Sequence, residues 1–139
     1  MTLIYFVHDK QENPSQRSMF LEQMGYSVRQ FTSGNACLDD ARKEKPDLVI
    51  SDILIEGENG FEFCRKLRKT FSGNDLPVIL TSKIYRARAF REEAKAVGAQ
   101  AYFLRPIRLE ELGREIGELT GGASAAAPPP LPPLDDKAA

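Results

Sequence analysis

The stretch Lys45-Pro46-Asp47-Leu48-Val49-Ile50-Ser51-Asp52 limits the folds open to this chain more than any other. Pro46 has no backbone donor and biases its predecessor away from helix, so it ends whatever helix comes before. Leu48, Val49 and Ile50 then run apolar without alternation, the pattern of a strand buried on both faces. The run stops on an acid. In a parallel α/β sheet ligands bind outside the carboxyl ends of the strands. Asp52 is therefore expected to be a carboxylate held by a rigid strand and open to solvent; the plainer alternative is an Asp that merely starts a loop.

The same pattern recurs along the chain. Leu3–Val7 is a compact apolar run that ends on His8-Asp9. Asn13 and Pro14 suit the start of a helix, which Gly25 closes, with Met19, Phe20 and Met24 forming one apolar stripe. Residues 26–31 alternate and read as a second strand, and 36–44 as a second helix with Cys37, Leu38 and Ala41 inward. After the third strand comes a loop over 53–60, then an amphipathic helix over 61–68 with Phe61, Cys64 and Leu67 spaced by three. A fourth strand over 77–80 ends on Thr81-Ser82, and a fourth helix spans 84–97 before Gly98. Ala101–Leu104 is a fifth strand ending on Arg105-Pro106, and Leu109–Leu119 the last helix. Five strands alternating with five helices predict an α/β domain with a parallel sheet covered on both faces.

This domain fills residues 1–121. From 122 to 139 the composition shifts to Ala, Pro and Ser, including three consecutive prolines at 128–130. Such a stretch cannot bury a core and reads as a disordered or polyproline linker or tail, with a ligand for an SH3-like partner as the sharper alternative. The formal net charge of −1 gives no whole-chain electrostatic case for nucleic acid or an anionic membrane. There is no apolar run of about 20 residues to span a bilayer and no secretory leader at the N-terminus. Cys37 and Cys64 lack metal or redox spacing and read as small core residues in a reducing cytoplasm.

All the strand ends fall on one sheet edge, which collects His8, Asp9, Asp52, Thr81, Ser82 and Arg105. Two carboxylates, a hydroxyl and a cation there suit phosphoryl transfer. Two carboxylates can present one Mg²⁺ to a phosphate oxygen, the cations neutralise charge developing on the phosphoryl group, and an Asp can itself carry an aspartyl-phosphate. Read singly, each residue has a plainer role as a turn, a cap or a surface ion pair; the set taken together is harder to dismiss.

The sequence resembles the receiver domain of two-component response regulators over residues 3–120. The most specific piece is Pro46 to Asp52 followed by Gly60, Phe61 and a helix; residues 77–82 and 99–106 match later family segments in order and spacing. The resemblance implies a doubly wound, CheY-like five-stranded parallel sheet of order 2-1-3-4-5. It further implies phosphoryl transfer onto one Asp, with Mg²⁺, from a histidine kinase or phosphotransfer protein. Carried over by position, Asp52 is the phosphoacceptor and Asp9 the acid that binds metal directly. The backbone carbonyl of Leu54 is a further metal ligand, Ser82 the switch hydroxyl with Thr81 as fallback, and Tyr102 the aromatic switch.

Four departures bear on that picture. His8 stands where the first acid of the metal-binding pair is expected, and imidazole is a poor Mg²⁺ ligand, so metal binding is expected to be weakened. Arg105 replaces the usual Lys and keeps the charge on a larger planar fork. Glu56 occupies a position where Pro is common, and Lys83 one where a small residue is usual. Two functions follow: a working receiver, or a pseudo-receiver that acts as a protein-interaction module without phosphate. An independent enzyme has little support, because there is no P-loop and no nucleophile elbow. Output is expected through the fourth helix, fifth strand and fifth helix, towards a protein partner or an effector domain outside this chain, with no direct contact to nucleic acid. The basic fourth helix would suit an acidic partner or a homodimer using charge pairs.

Overall fold

The structure, a computed structural model, describes residues 2–120. The proline-rich segment 122–139 and the last domain residue, Gly121, lie outside the described residues. Five parallel strands, β1 (Leu3–Val7), β2 (Ser27–Phe31), β3 (Leu48–Asp52), β4 (Val78–Ser82) and β5 (Ala101–Leu104), form one sheet. Their order is β2-β1-β3-β4-β5, the doubly wound order the resemblance implied. Four helices connect them, α1 (Ser15–Gln23), α2 (Gly34–Lys43), α3 (Gly60–Thr70) and α4 (Arg88–Ala96), and α5 (Leu109–Leu119) follows the last strand. Within the loop after β3, Leu54–Ile55 and Glu58–Asn59 pair as a two-stranded antiparallel ribbon.

Side chains alternate along each strand, and the sheet sorts them into two cores. Ile4, Phe6, Leu48, Ile50 and Ile79 pack with Phe20 and Leu21 of α1 and Leu112 and Ile116 of α5. Tyr5, Val7, Val49, Val78 and Leu80 pack on the opposite face with Cys37, Leu38, Phe63, Cys64, Leu67, Ala94 and Val97 from α2, α3 and α4. Every residue of β3 and β4 is buried, which is why those strands read as unbroken apolar runs. Burial pushes the thiols of Cys37 and Cys64 up, the latter to about 11, as befits core residues rather than reactive ones.

Three local expectations are corrected. Met19 is not part of the inward stripe of α1; it is 56% exposed, while Phe20 and Leu21 are buried. The fourth helix begins at Arg88 rather than 84, because the amides of Ile84 and Tyr85 are satisfied by the Ser82 hydroxyl and not by a helical ladder. Asn13 accepts from the Ser15 amide at 2.9 Å but is one residue too early to be the N-cap of α1, which is Pro14.

The chain turns back sharply after β3. The amide of Gly60 donates to the Ile53 carbonyl at 2.7 Å, and the Asn59 side chain caps α3 by accepting from Glu62 N at 2.9 Å. A Cβ on Gly60 would lie 2.7 Å from the Asp52 carbonyl oxygen and 3.0 Å from Ile53 Cα, both main-chain atoms that cannot swing aside. Gly60→Ala is therefore expected to destabilise the domain by about 1–3 kcal/mol through overpacking, read as a lower urea midpoint with an unchanged m-value.

Candidate functional site

Strand parity decides which side chains meet at the carboxyl edge. Asp52 follows Leu48 and Ile50 on the α1/α5 face, Thr81 follows Ile79, and His8 follows Phe6. Arg105 stands two residues beyond Phe103, which packs against the same core. Ser82 falls on the opposite face with Leu80 and Tyr102. The ladder continues into the site: Ile53 N donates to Thr81 O and Arg105 N to Ser82 O, each at 2.8 Å, and His8 N to Phe31 O at 2.9 Å.

Asp52 is not open to solvent; it is 1% exposed. Its cover is Arg17, a residue the sequence reading did not single out. Arg17 Nη1 donates to Asp52 Oδ1 at 2.9 Å and Nη2 to Oδ2 at 3.2 Å, a bidentate fork on one carboxylate. The guanidinium lies over the Phe6 ring with 4.6 Å between its carbon and the ring centroid. The Thr81 hydroxyl also donates to Asp52 Oδ1. Arg17 precedes the buried Phe20 and Leu21 by three and four residues, so it belongs to the inward stripe of α1. A cation on an apolar stripe was the available signal.

Glu12, likewise unremarked in the sequence, gathers the remaining cations. Arg105 Nη1 donates to Glu12 Oε1 at 2.7 Å, Lys83 Nζ pairs with Oε2, and Arg17 Nη2 stands 3.8 Å from Oε1. Burial alone would raise the Glu12 carboxyl, but hydrogen bonds from Arg105 and Lys83 outweigh it and hold the group at about 2. Arg105 thus rests mainly on Glu12, with Nη2 3.8 Å from Asp52 Oδ2 and a buried Nε that has no hydrogen-bond partner.

The hydroxyls divide by face. Ser82 Oγ accepts from the amides of Ile84 and Tyr85 at 3.1 and 3.0 Å, and Tyr102 Oη donates to the Tyr85 carbonyl at 2.6 Å. Burial pushes the Tyr102 phenol up, against a hydrogen bond with the Ser82 side chain that lowers it. It is Thr81, the fallback, that touches Asp52.

The residues expected to hold metal make contacts of their own. Asp9 Oδ1 accepts from Gln11 N at 2.9 Å, closing its own turn. His8 is buried with its ring 5.5 Å from Phe6 and Nδ1 3.0 Å from the Asp9 carbonyl. Leu54 is 39% exposed on the ribbon, paired with Asn59. Glu56 pairs with Lys10 at 3.7 Å on the surface. Among the described residues no group of three or more His, Cys, Asp or Glu side chains could hold a metal ion. With both Asp52 oxygens committed to Arg17 and Thr81, this donor set does not fit a hard divalent cation, which wants several free oxygen ligands.

Comparison with known proteins gives a consistent picture. PilH of Pseudomonas aeruginosa PAO1 is 30% identical over 129 residues, covering 88% of this chain and all of PilH. The response regulator MprA of Mycobacterium sp. strain KMS is 34% identical over 113 residues, which cover 79% of this chain but 46% of MprA. Among solved structures, a CheY-like receiver domain protein from Methanospirillum hungatei JF-1 superposes with a TM-score of 0.78 at 22% identity, over 91% of this chain and 99% of that one. The receiver domain of the sensor histidine kinase PA1611 from Pseudomonas aeruginosa PAO1, described with a magnesium ion coordinated in its active-site cleft, gives 0.76 at 22% identity over 86% and 98%. The response regulator receiver domain model matches residues 4–116, and the chain belongs to that family.

Proposed function

We propose that this chain is the signal receiver of a two-component phosphorelay, taking a phosphoryl group on Asp52 from the phosphohistidine of a histidine kinase or phosphotransfer protein. The observation that supports it best is the convergence on one buried carboxylate of a hydroxyl from β4 and two guanidinium groups, one from α1 and one just beyond β5. An Oδ of Asp52 attacks phosphorus; the O–P bond forms as the donor N–P bond breaks, and the imidazole leaves with that bonding pair. Catalysis of such a transfer is positioning and charge stabilisation. Arg105 suits this role, because it already lies beside Asp52 and an incoming phosphoryl group competes with Glu12 for its fork. Thr81 can turn its hydroxyl from Asp52 Oδ1 to a phosphoryl oxygen.

The response would leave through β4. Thr81 faces Asp52, and its neighbour Ser82 clasps the loop before α4 jointly with Tyr102. The output face of α4, β5 and α5 would then meet a protein partner or an effector domain. The exposed Arg88, Arg91 and Lys95 of α4 favour an acidic one, with a homodimer as the symmetric variant. His8 in an acid's place takes one oxygen ligand from this edge, in keeping with a donor set that does not suit Mg²⁺. One observation favours the second reading, a phosphorylation-independent interaction module: the Arg17 fork that closes over Asp52.

Acetyl phosphate in Mg²⁺ buffer, followed by intact mass, is expected to add one phosphoryl group to the wild-type chain and none to Asp52→Asn. No gain on a folded wild type would leave the interaction module. Arg105→Ala is expected to slow labelling on the order of 100-fold, the usual cost of losing one oxyanion donor. Glu12 gives a pH signature: its folded value lies below the ordinary 4.5, so its contribution to stability is complete above that pH and is lost as pH falls towards 2. Urea midpoints measured from pH 6 to pH 2.5 should fall less steeply for Glu12→Gln than for wild type.

A further inference from the structure

The charge that neutralises Asp52 is built into the chain. Arg17 is held on three sides: by both carboxylate oxygens at 2.9 and 3.2 Å, by the Phe6 ring beneath it, and by Glu12 at 3.8 Å. It is 13% exposed, so the fork is formed largely out of water, where a planar bidentate pair is strongest. A divalent ion at Asp52 would need a free oxygen there, yet Oδ1 receives both Thr81 and Arg17. Oδ2 receives Arg17 and faces Arg105 at 3.8 Å. The ion would also sit against one or both guanidinium charges. Of the nearby acids, Glu12 is taken up by Arg105 and Lys83, and Asp9 accepts from the Gln11 amide through Oδ1.

We propose that Arg17 is the resident cation of the acceptor site and stands where a receiver's magnesium would act, so that Asp52 binds no divalent metal while Arg17 is seated. On the reading of Asp52 as phosphoacceptor, on which this half of the inference rests, the tethered guanidinium also supplies the neutralisation that transfer requires. Phosphorylation then proceeds without metal. Arg17 has to slide from the carboxylate to the phosphoryl oxygens, and its long side chain, with the guanidinium over the Phe6 ring, allows that movement without unfolding α1.

Titration of Mn²⁺ alone, with the free ion read by electron paramagnetic resonance, tests the first half without any phosphorylation. Wild type should bind no Mn²⁺ in the millimolar range. Arg17→Ala should gain one site, tighter by on the order of tenfold or more once a unit charge about 4 Å away is removed, and adding Asp52→Asn should abolish it. Arg17→Gln, which keeps the stem and loses the charge, should behave alike and serves if the alanine variant does not fold. Wild-type binding as tight as that of either variant, or no gain in either folded variant, overturns the proposal. The second half is read by acetyl phosphate labelling in EDTA against Mg²⁺: equal wild-type rates support it, and loss of labelling in EDTA alone overturns it. Absence of label in both buffers counts against the acceptor reading only, and the Mn²⁺ titration still decides the resident cation.

Discussion

A carboxylate 1% exposed at the end of a wholly buried strand has to be neutralised, and much of this domain follows from how that is done. Leaving such a charge unpaired costs about 3–5 kcal/mol, a large share of the roughly 5–15 kcal/mol that holds a domain folded. Here the counter-charge comes from α1, so the pairing of Asp52 with Arg17 ties the first helix to the central strand at the sheet's carboxyl edge. Glu12 then becomes necessary in its turn. With Arg17 on Asp52, Arg105 and Lys83 need an acceptor of their own, and Glu12 supplies both oxygens. The site is a cluster of three cations on two carboxylates, in which each member's placement depends on the others.

The fold was legible because the strands announce themselves. Buried on both faces, β1, β3 and β4 appear as short unbroken apolar runs, and the ends of α1 and α4 are marked by Gly25 and Gly98, both at φ +95°. The edge strand β2 is half-exposed, but its burial does not follow the alternation expected from the sequence: Arg29 and Gln30 are both exposed. Boundaries shifted where a side chain competed with the backbone ladder, as Ser82 does at the loop before α4.

The site was legible only in part. Positions at strand ends are short-range facts, so His8, Asp52, Thr81, Ser82 and Arg105 could be collected from the sequence alone. What each touches is set by parity and by the opposing helix. Parity was readable: Thr81 shares its face with Asp52 two residues beyond Ile79, and Ser82 shares its face with Tyr102. The partnership of Arg17 and Glu12 with the strand ends was harder, because Arg17 lies in the first turn of α1 and Glu12 in the loop before it, and their reach depends on how that helix packs. The expectation of an exposed acid failed for the same reason: solvent access at a strand end is decided by a long side chain from elsewhere.

The division of hydroxyls across β4 has a mechanical corollary. Thr81 and Ser82 are consecutive, yet one touches the acid and the other holds the loop that Tyr102 also grips. Chemistry on one side of the sheet and a displaceable loop on the other are therefore separated by a single peptide unit. Both residues are at most 3% exposed, and β4 is hydrogen-bonded to neighbours on each side, so the strand cannot slide or melt to carry a signal. A change of orientation at that one peptide would pass directly into the segment 83–87, which is exposed apart from the half-buried Tyr85.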